Sequence, residues 1–389
     1  MLSGHRTRQI SENLIVLAKE EWKTMSMGTS RTKDTSQSGM VEFKVMKLAG
    51  NNLSQIAVMN LEVWPSLTAS GSDYLTAITG SRLCVVYSKR PGEQLFEVLE
   101  INEQNKQILL KGSLAIEKTL RASSIIAISD QVFLGFNGQV GVVNLSETKL
   151  TLNLFHNWHE MVDKVDANKA VDIFAYDSVT AAKTLVAIDD FVWPKYGFTY
   201  DLSKHPPKNT GYFDLPAGTN EHYHSAAKHG ETLVILASFF HHDGKGNRIV
   251  VMHGSEVKHS IYENATWQSH ATGLFDEIYT NFSAIGLLNN NIMIVSAGER
   301  GVIAIPMESL GVTRDLDCKK LENVKRLQIG QSAQHLVTAK DKSYALVVAA
   351  ENNNSTTLAQ LKWSSEKNDF EVAQSHRIAG NYHRLFIED

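Results

Sequence analysis

The sequence predicts an all-β fold assembled from a repeated four-stranded sheet, on three observations. Residues 124–155, SIIAISDQVFLGFNGQVGVVNLSETKLTLNLF, read as four short strands in a row. Similar groups recur at a spacing near 50 residues. From Val41 onward the hydrophobic period is two, the alternation of a half-buried strand.

The 124–155 unit is the clearest copy. Its apolar runs, Ser124–Ile128, Val132–Phe136, Gln139–Asn144 and Leu150–Phe155, are separated by Ser129-Asp130, Asn137-Gly138 and Ser146-Glu147-Thr148. Asn-Gly between apolar runs predicts a tight hairpin of type I′, in which both central residues take positive φ. One such sheet cannot bury its faces alone and needs neighbours.

Upstream, Ile10, Leu14, Leu17, Ala18 and Trp22 recur at helical spacing, which predicts an amphipathic helix over 9–25. The Ser/Thr-rich stretch Ser26–Gly39 reads as a flexible linker, so residues 1–39 are expected to be an extension and 40–389 the main domain. Two strands follow, at 41–48 and 55–63. Four-strand groups then span about 73–112, 124–155, 171–215, 222–262, 282–316 and 335–375, the fifth ending in a strand at Gly311–Leu316. His383 opens a last strand, HRLFIED, which the two strands at 41–63 can complete as a seventh sheet. A period near 50 with four strands per unit is the pattern of a β-propeller. Seven blades closed by strands from both chain ends are expected, with six and eight as alternatives, since closure removes exposed sheet edges.

The layout over roughly 41–389 resembles the β-propeller superfamily. LVAIDDFVWPKYGFTYDLS (185–203) looks like the strand, turn, next-strand passage of many bacterial propellers. Neither WD-repeat pairs, kelch Gly-Gly doublets nor repeated Asp-boxes are present, so the resemblance names no single family. It implies that ligands meet the face built from the strand 2–3 loops and the between-blade loops.

Composition narrows the function. A net charge of −4 without charge blocks argues against nucleic acid as a partner. No apolar run approaches the length of a membrane span. Glu12, Asn13, Lys19, Glu20 and Glu21 interrupt the N-terminal region, which argues against a signal peptide and favours a cytoplasmic location. The only cysteines, Cys84 and Cys318, make no disulfide framework, and Cys84 lies in an apolar run as a buried thiol.

The conspicuous polar and aromatic residues fall on the loop face. Trp158, Asp189, Asp190, Trp193, Lys195, Trp267 and Arg300 are the candidates for binding a partner, because rigid aromatics beside charges are enriched at hot spots. Trp193 has the plainer alternative of covering the next blade. Asp189, Glu221, His222, His224, His241, His242 and Asp243 are the candidates for a divalent metal, calcium or zinc. His222 and His224 would share one side of a strand. Solvated turn acids and surface histidines are the plainer reading of that set, and no cofactor is expected outright. No Gly-x-Ser-x-Gly or other nucleophile arrangement occurs. The expected function is a non-enzymatic scaffold presenting its loop face to a protein or peptide. The alternative is a metal-assisted hydrolase or lyase with its site at the channel mouth. A small-molecule ligand stays open.

Overall fold

The computed structural model describes residues 13–21, 24–27, 30–33, 37–65, 73–157, 171–177, 183–189, 196–214, 221–241, 244–254, 256–266, 282–289, 291–311, 315–317, 321–339, 341–352 and 354–387. Among the described residues are seven sheets of at least four strands, together with one two-stranded hairpin.

The first sheet unites the two chain ends. Three of its strands, β1 (Asn13–Glu21), β4 (Gly39–Ala49) and β5 (Asn52–Val63), are N-terminal, and β2 (Thr24–Met27) and β3 (Ser30–Lys33) form the separate hairpin. Blade II holds β6 (Tyr74–Thr79), β7 (Arg82–Arg90), β8 (Glu93–Asn102) and β9 (Gln107–Ala115). Blade III holds β10 (Ser124–Ile128), β11 (Gln131–Gly135), β12 (Gln139–Asn144) and β13 (Leu152–Asn157). Blade IV holds β14 (Val171–Asp177), β15 (Lys183–Asp189), β16 (Tyr196–Asp201) and β17 (Lys208–Asp214). Blade V holds β18 (Glu221–His229), β19 (Thr232–His241), β20 (Gly244–His253) and β21 (Glu256–Thr266). Blade VI holds β22 (Ala284–Leu288), β23 (Ile292–Ser296), β24 (Val302–Pro306) and β26 (Lys325–Leu327), while β25 (Asp315–Asp317) leaves it to pair in parallel with β21. Blade VII holds β27 (Ser332–Thr338), β28 (Ala345–Asn352), β29 (Ser355–Ser364) and β30 (Asp369–Ala379). The last strand, β31 (Arg384–Ile387), is the innermost of blade I, in the order β31-β1-β4-β5. Each blade's innermost strand packs against the next one round, and β31 packs against β6, which closes the ring.

Three expectations are corrected. The predicted helix over 9–25 is a strand from Asn13 to Glu21. Its run Leu14–Ala18 is buried on both faces: Leu14, Val16 and Ala18 pack with Phe43 and Tyr74, and Ile15 and Leu17 with Tyr344 and Leu346. A short apolar run fits either period, and here the strand wins because the open flank of β31 and the edge of β4 both need a partner. The expected linker contains the hairpin β2–β3, paired from Thr24↔Lys33 to Met27↔Ser30. The fourth strand of blade VI is Lys325–Leu327, not Gly311–Leu316; Asp315–Asp317, which overlaps the end of that stretch, extends blade V instead.

The Asn137-Gly138 turn also differs from type I′. Only Gly138 has positive φ, at 70°. The Asn137 side chain instead accepts from the Arg121 N–H at 2.9 Å and donates to the Thr119 carbonyl, tying the turn to the connection entering the blade.

The core is spread between blades rather than gathered at one centre. Tyr74, Phe43 and Leu83 fill the I–II layer, Cys84, Phe96 and Phe136 the II–III layer, and Phe133, Phe198 and Tyr200 the III–IV layer. Corresponding layers continue round to Leu346, Tyr382 and Leu385 between blades VII and I. Turns joining first and second strands add polar links between blades. Arg82 pairs with Asp130 at 2.7 Å, Thr79 donates to the Ser129 carbonyl, and the Asn289 N–H donates to the Lys342 carbonyl.

The outermost strands share a device that composition does not reveal. In blades I, II, III, IV, V and VII the pairing of third to fourth strand shifts once, leaving Ile56, Lys111, Phe155, Thr210, Lys258 and Ala373 as the extra residue. A bulge twists an edge away from flat pairing and so opposes edge-to-edge aggregation. Blade VI reaches the same end with a three-residue outer strand.

Candidate functional site: the central channel

The innermost strands enclose a channel that contains a cavity of about 310 Å³. Described residues from six of the seven innermost strands line it: Thr76–Ile78, Ile125–Ala127, Ser225–Ala227, Ile285, His335–Thr338 and Leu385–Ile387. Most are aliphatic. Among the described residues, five lining side chains are polar: Thr76, Ser225, His335, Thr338 and Lys342.

Four of these polar groups lie on innermost strands, and Lys342 lies in the turn between β27 and β28. Thr76 is in the middle of β6, buried, and its hydroxyl has no hydrogen-bond partner. Two residues along β31 from Arg384, Phe386 meets the His335 ring at 6.4 Å between centroids. Thr76, Phe386 and His335 therefore stand on three consecutive innermost strands, those of blades II, I and VII. His335 follows a register shift between Ala333 and His335, a bulge of the kind that re-aims side chains beside functional sites. Ser225 follows the matching shift in blade V, and its Oγ accepts the Ile285 N–H at 3.0 Å. At the far end Lys342 donates to the Thr338 hydroxyl at 3.4 Å.

One strand repeat above Thr76 and Phe386, the channel rim carries a charged group between blades I and II. The Arg384 guanidinium lies 5.1 Å from the centre of the Tyr74 ring, a cation–π distance. Burial raises the Tyr74 hydroxyl's pKa, opposed by Arg384 and reinforced by the nearby carboxylates of Glu20 and Asp73. The Tyr74 hydroxyl makes no hydrogen bond. His383 faces Glu20 at 3.7 Å.

Of the residues singled out in the sequence, Arg300 is described in full. It lies in the strand 2–3 turn of blade VI with its guanidinium 5.1 Å from the centre of the Phe282 ring. Asp189, Glu221, His222 and His241 lie on strand ends at the same face, by the pairings Val171↔Asp189, Glu221↔Phe239, His222↔Ser238 and His241↔Gly244. His224 falls at the register shift between Tyr223 and Ser225, which interrupts the alternation assumed for His222 and His224. The side chains of these five lie outside the described residues, as do Trp158, Asp190, Trp193, Lys195, Trp267, His242 and Asp243. Among the described residues no group of three His, Cys, Asp or Glu side chains is placed to hold a metal. Cys84 is buried, and burial pushes its thiol up to about 12, so it stays protonated and inert. Among the described residues no helix is long and apolar enough to cross a membrane.

Thr76, His335 and Arg384 were not among the candidates, because each sits inside or at the start of a strand rather than in a loop. The one signal available was position: they belong to the first strands of their units, which line a propeller's axis.

No family model matches the chain, and no curated protein matches it. Among solved structures, a putative 6-phosphogluconolactonase from Bacteroides uniformis ATCC 8492 is similar with a TM-score of 0.55 at 10% identity, covering 97% of this chain and 99% of that one. A second, from Bacteroides fragilis NCTC 9343, has a TM-score of 0.54 at 10% identity and covers 100% of both chains. The Dos1 propeller has a TM-score of 0.49 at 10% identity, covering 87% of this chain and 89% of its own. At such identities the likeness is one of fold. The expectation of a non-enzymatic scaffold is corrected here, since the two structures that match end to end carry the name of a hydrolytic enzyme. The enzymatic alternative is the one carried forward. The chain is an all-β, seven-bladed β-propeller whose first blade is closed by strands from both chain ends.

Proposed function

We propose that the protein is a hydrolase of a small carboxylic ester or lactone, with its site in the central channel. The observation that carries this reading is a concave axial cavity of mixed polar and apolar lining, with His335 of blade VII and Thr76 of blade II on the innermost strands either side of β31. Binding sites commonly combine such lining with a few placed polar groups. The names of the two full-length structural neighbours add the lactone ester as the bond type.

In this reading neutral His335 takes a proton from a water molecule as it attacks the ester carbonyl. Imidazole is suited to this near neutral pH. The Thr76 hydroxyl is shielded from the cavity in the resting protein, and it donates to the oxygen that gains charge only once its side chain turns toward the channel. The imidazolium then returns the proton to the departing alkoxide. For a lactone, that opens the ring without releasing a second product. A divalent ion enters this reading only through the acids and histidines at 189–243, and a cytoplasmic location only through the sparse cysteines.

The test is hydrolysis of a panel of lactones and p-nitrophenyl esters by protein purified without added metal, with elemental analysis of the same sample. Ester or lactone turnover lost on His335→Gln is the expected result. A panel left untouched by the folded protein would overturn the reading, and turnover that requires a bound ion would transfer the chemistry to the 189–243 positions.

A further inference from the structure

The fourth strands of blades II and V match residue by residue but differ in what lies beside them. In β21 the register with β20 shifts once and leaves Lys258 as the extra residue, and in β9 the register with β8 shifts once and leaves Lys111. Counted from these bulges, Ser260, Ile261 and Tyr262 of blade V correspond to Ser113, Leu114 and Ala115 of blade II. Ile261 and Leu114 both face the next blade, Ile261 in the V–VI layer and Leu114 in the II–III layer.

At blade V this position is covered by the chain itself. β25, from the connection between the third and fourth strands of blade VI, pairs in parallel with Ser260, Ile261 and Tyr262, and Leu316 packs into the V–VI layer. Beneath it Ser260 is 2% exposed and Ile261 1%. At blade II, β9 is outermost, with no fifth strand beside it among the described residues. Ser113 and Ala115 are exposed there and Leu114 is half-buried. The connection in blade III is short, 145–151, where that of blade VI runs from 307 to 324, so it cannot send a strand across. A groove of about 540 Å³ is left between it and Lys111–Ala115.

The segment that covers blade V reads Asp315-Leu316-Asp317, an aliphatic residue between two carboxylates. The blade II groove has cations to match such a segment. Lys149 is exposed and has no ion pair among the described residues. Lys111 meets Glu100 at 2.5 Å in an exposed pair, of a kind that a competing carboxylate exchanges at little cost. Of the other charged groups, Arg82 is held by Asp130, and Glu147 accepts from the Thr151 hydroxyl.

We propose that the groove between blades II and III docks an extended peptide of a partner protein, an aliphatic residue flanked by carboxylates, which adds in parallel to β9 as β25 adds to β21. Its backbone pairs with the edge at Ser113–Ala115, its aliphatic side chain covers Leu114, and its carboxylates meet Lys111 and Lys149. Strand addition of this kind takes affinity from the main chain and specificity from the side chains. The proposal does not depend on the hydrolase reading.

The experiment titrates the full-length protein into a fluorescein-labelled peptide, Ser-Val-Asp-Leu-Asp-Val-Ser, read by fluorescence polarisation, with hydrogen exchange mapped by mass spectrometry. Saturable binding is expected. Replacing the central Leu by Ser should weaken it by at least about tenfold, the scale of losing one buried aliphatic side chain. A Lys-Leu-Lys centre should weaken it by a similar factor, and the K111E/K149E protein, with melting temperature retained, should reverse that preference for acidic over basic peptide. Exchange should slow at Ser113–Ala115. Where the double variant fails to fold, K149E in the exposed turn decides. No saturable binding, equal binding of the Lys-Leu-Lys peptide, or slowed exchange at Ser260–Tyr262 in place of Ser113–Ala115 would each overturn the proposal.

Discussion

The Tyr382 hydroxyl donates a hydrogen bond to the carboxylate of Glu42, a residue 340 positions earlier in the chain. The contact crosses the seam where the C-terminal strand β31 meets the N-terminal strands of blade I. Around it, Lys19 reaches Glu42 at 3.5 Å, Lys44 sits 4.8 Å from the centre of the Tyr382 ring, and the Tyr382 N–H is held by the Thr356 hydroxyl at 2.8 Å. Burial lowers the Lys44 pKa, so Lys44 bears its charge at a cost that Glu42 partly offsets. Tyr382→Phe should therefore destabilise the protein by about 2 kcal/mol, the scale of a hydrogen bond to a charged group. Urea unfolding of both proteins at neutral pH measures it, and an unchanged midpoint would remove the seam bond from the account.

Removing residues 1–21 should expose both β31 and the edge of β4 along the register Asn13↔Leu48 to Glu21↔Met40. Unpaired strand edges template association. The truncated protein is expected to elute as oligomers or precipitate, with size-exclusion chromatography coupled to light scattering as the readout. A stable truncated monomer would mean that β1 is dispensable for closure.

Two glycines mark where chains come too close for any side chain. At Gly301, φ is 75° and an added Cβ would lie 2.3 Å from the Leu327 carbonyl oxygen, a backbone atom that cannot swing away. At Gly286 an added Cβ would lie 2.5 Å from Thr338 Cγ2, on the neighbouring innermost strand. Gly301→Ala should lower stability by roughly 2 kcal/mol or more, combining a disfavoured backbone with a clash. Gly286→Ala should cost less, because a threonine methyl can shift. Melting temperatures that rank the two in the opposite order would contradict this.

Asp341 predicts a pH dependence. The Ser343 hydroxyl, at 2.7 Å, and the Ser343 N–H, at 3.0 Å, hold its carboxyl below the ordinary aspartate value of 3.8. A carboxyl depressed in the folded state stabilises fully above its unfolded pKa, and that contribution disappears as pH falls through the folded value. Unfolding midpoints should thus fall less steeply below about pH 4 in Asp341→Ala than in the wild type. Equal acid limbs would show that Asp341 does not contribute.

The fold was legible where side-chain period and turn residues act locally. The spacing of the 124–155 unit and its relatives follows from such signals, and the seam follows from HRLFIED being a single strand that needs partners to make a sheet. The N-terminal strand was not legible, because Leu14–Ala18 satisfies a helix as readily as a strand until the neighbouring edges are known. The pairing of Asp315–Asp317 was equally hidden, since a three-residue strand pairing in parallel with another blade has no local signature. Site residues were least legible. Loops drew attention through Trp, His and Asp, whereas Thr76 and His335 look like ordinary strand residues until a ring of strands faces them toward one axis.

The measurement that bears most directly on the central claim is kcat/KM for hydrolysis of one ester by wild-type, His335→Gln and Thr76→Val proteins across pH 5 to 9. The wild-type rate should rise through the histidine range, fall by about a hundredfold or more with that rise abolished in His335→Gln, and fall by about tenfold or more with the rise intact in Thr76→Val. Equal rates and profiles for all three folded proteins would contradict a catalytic channel.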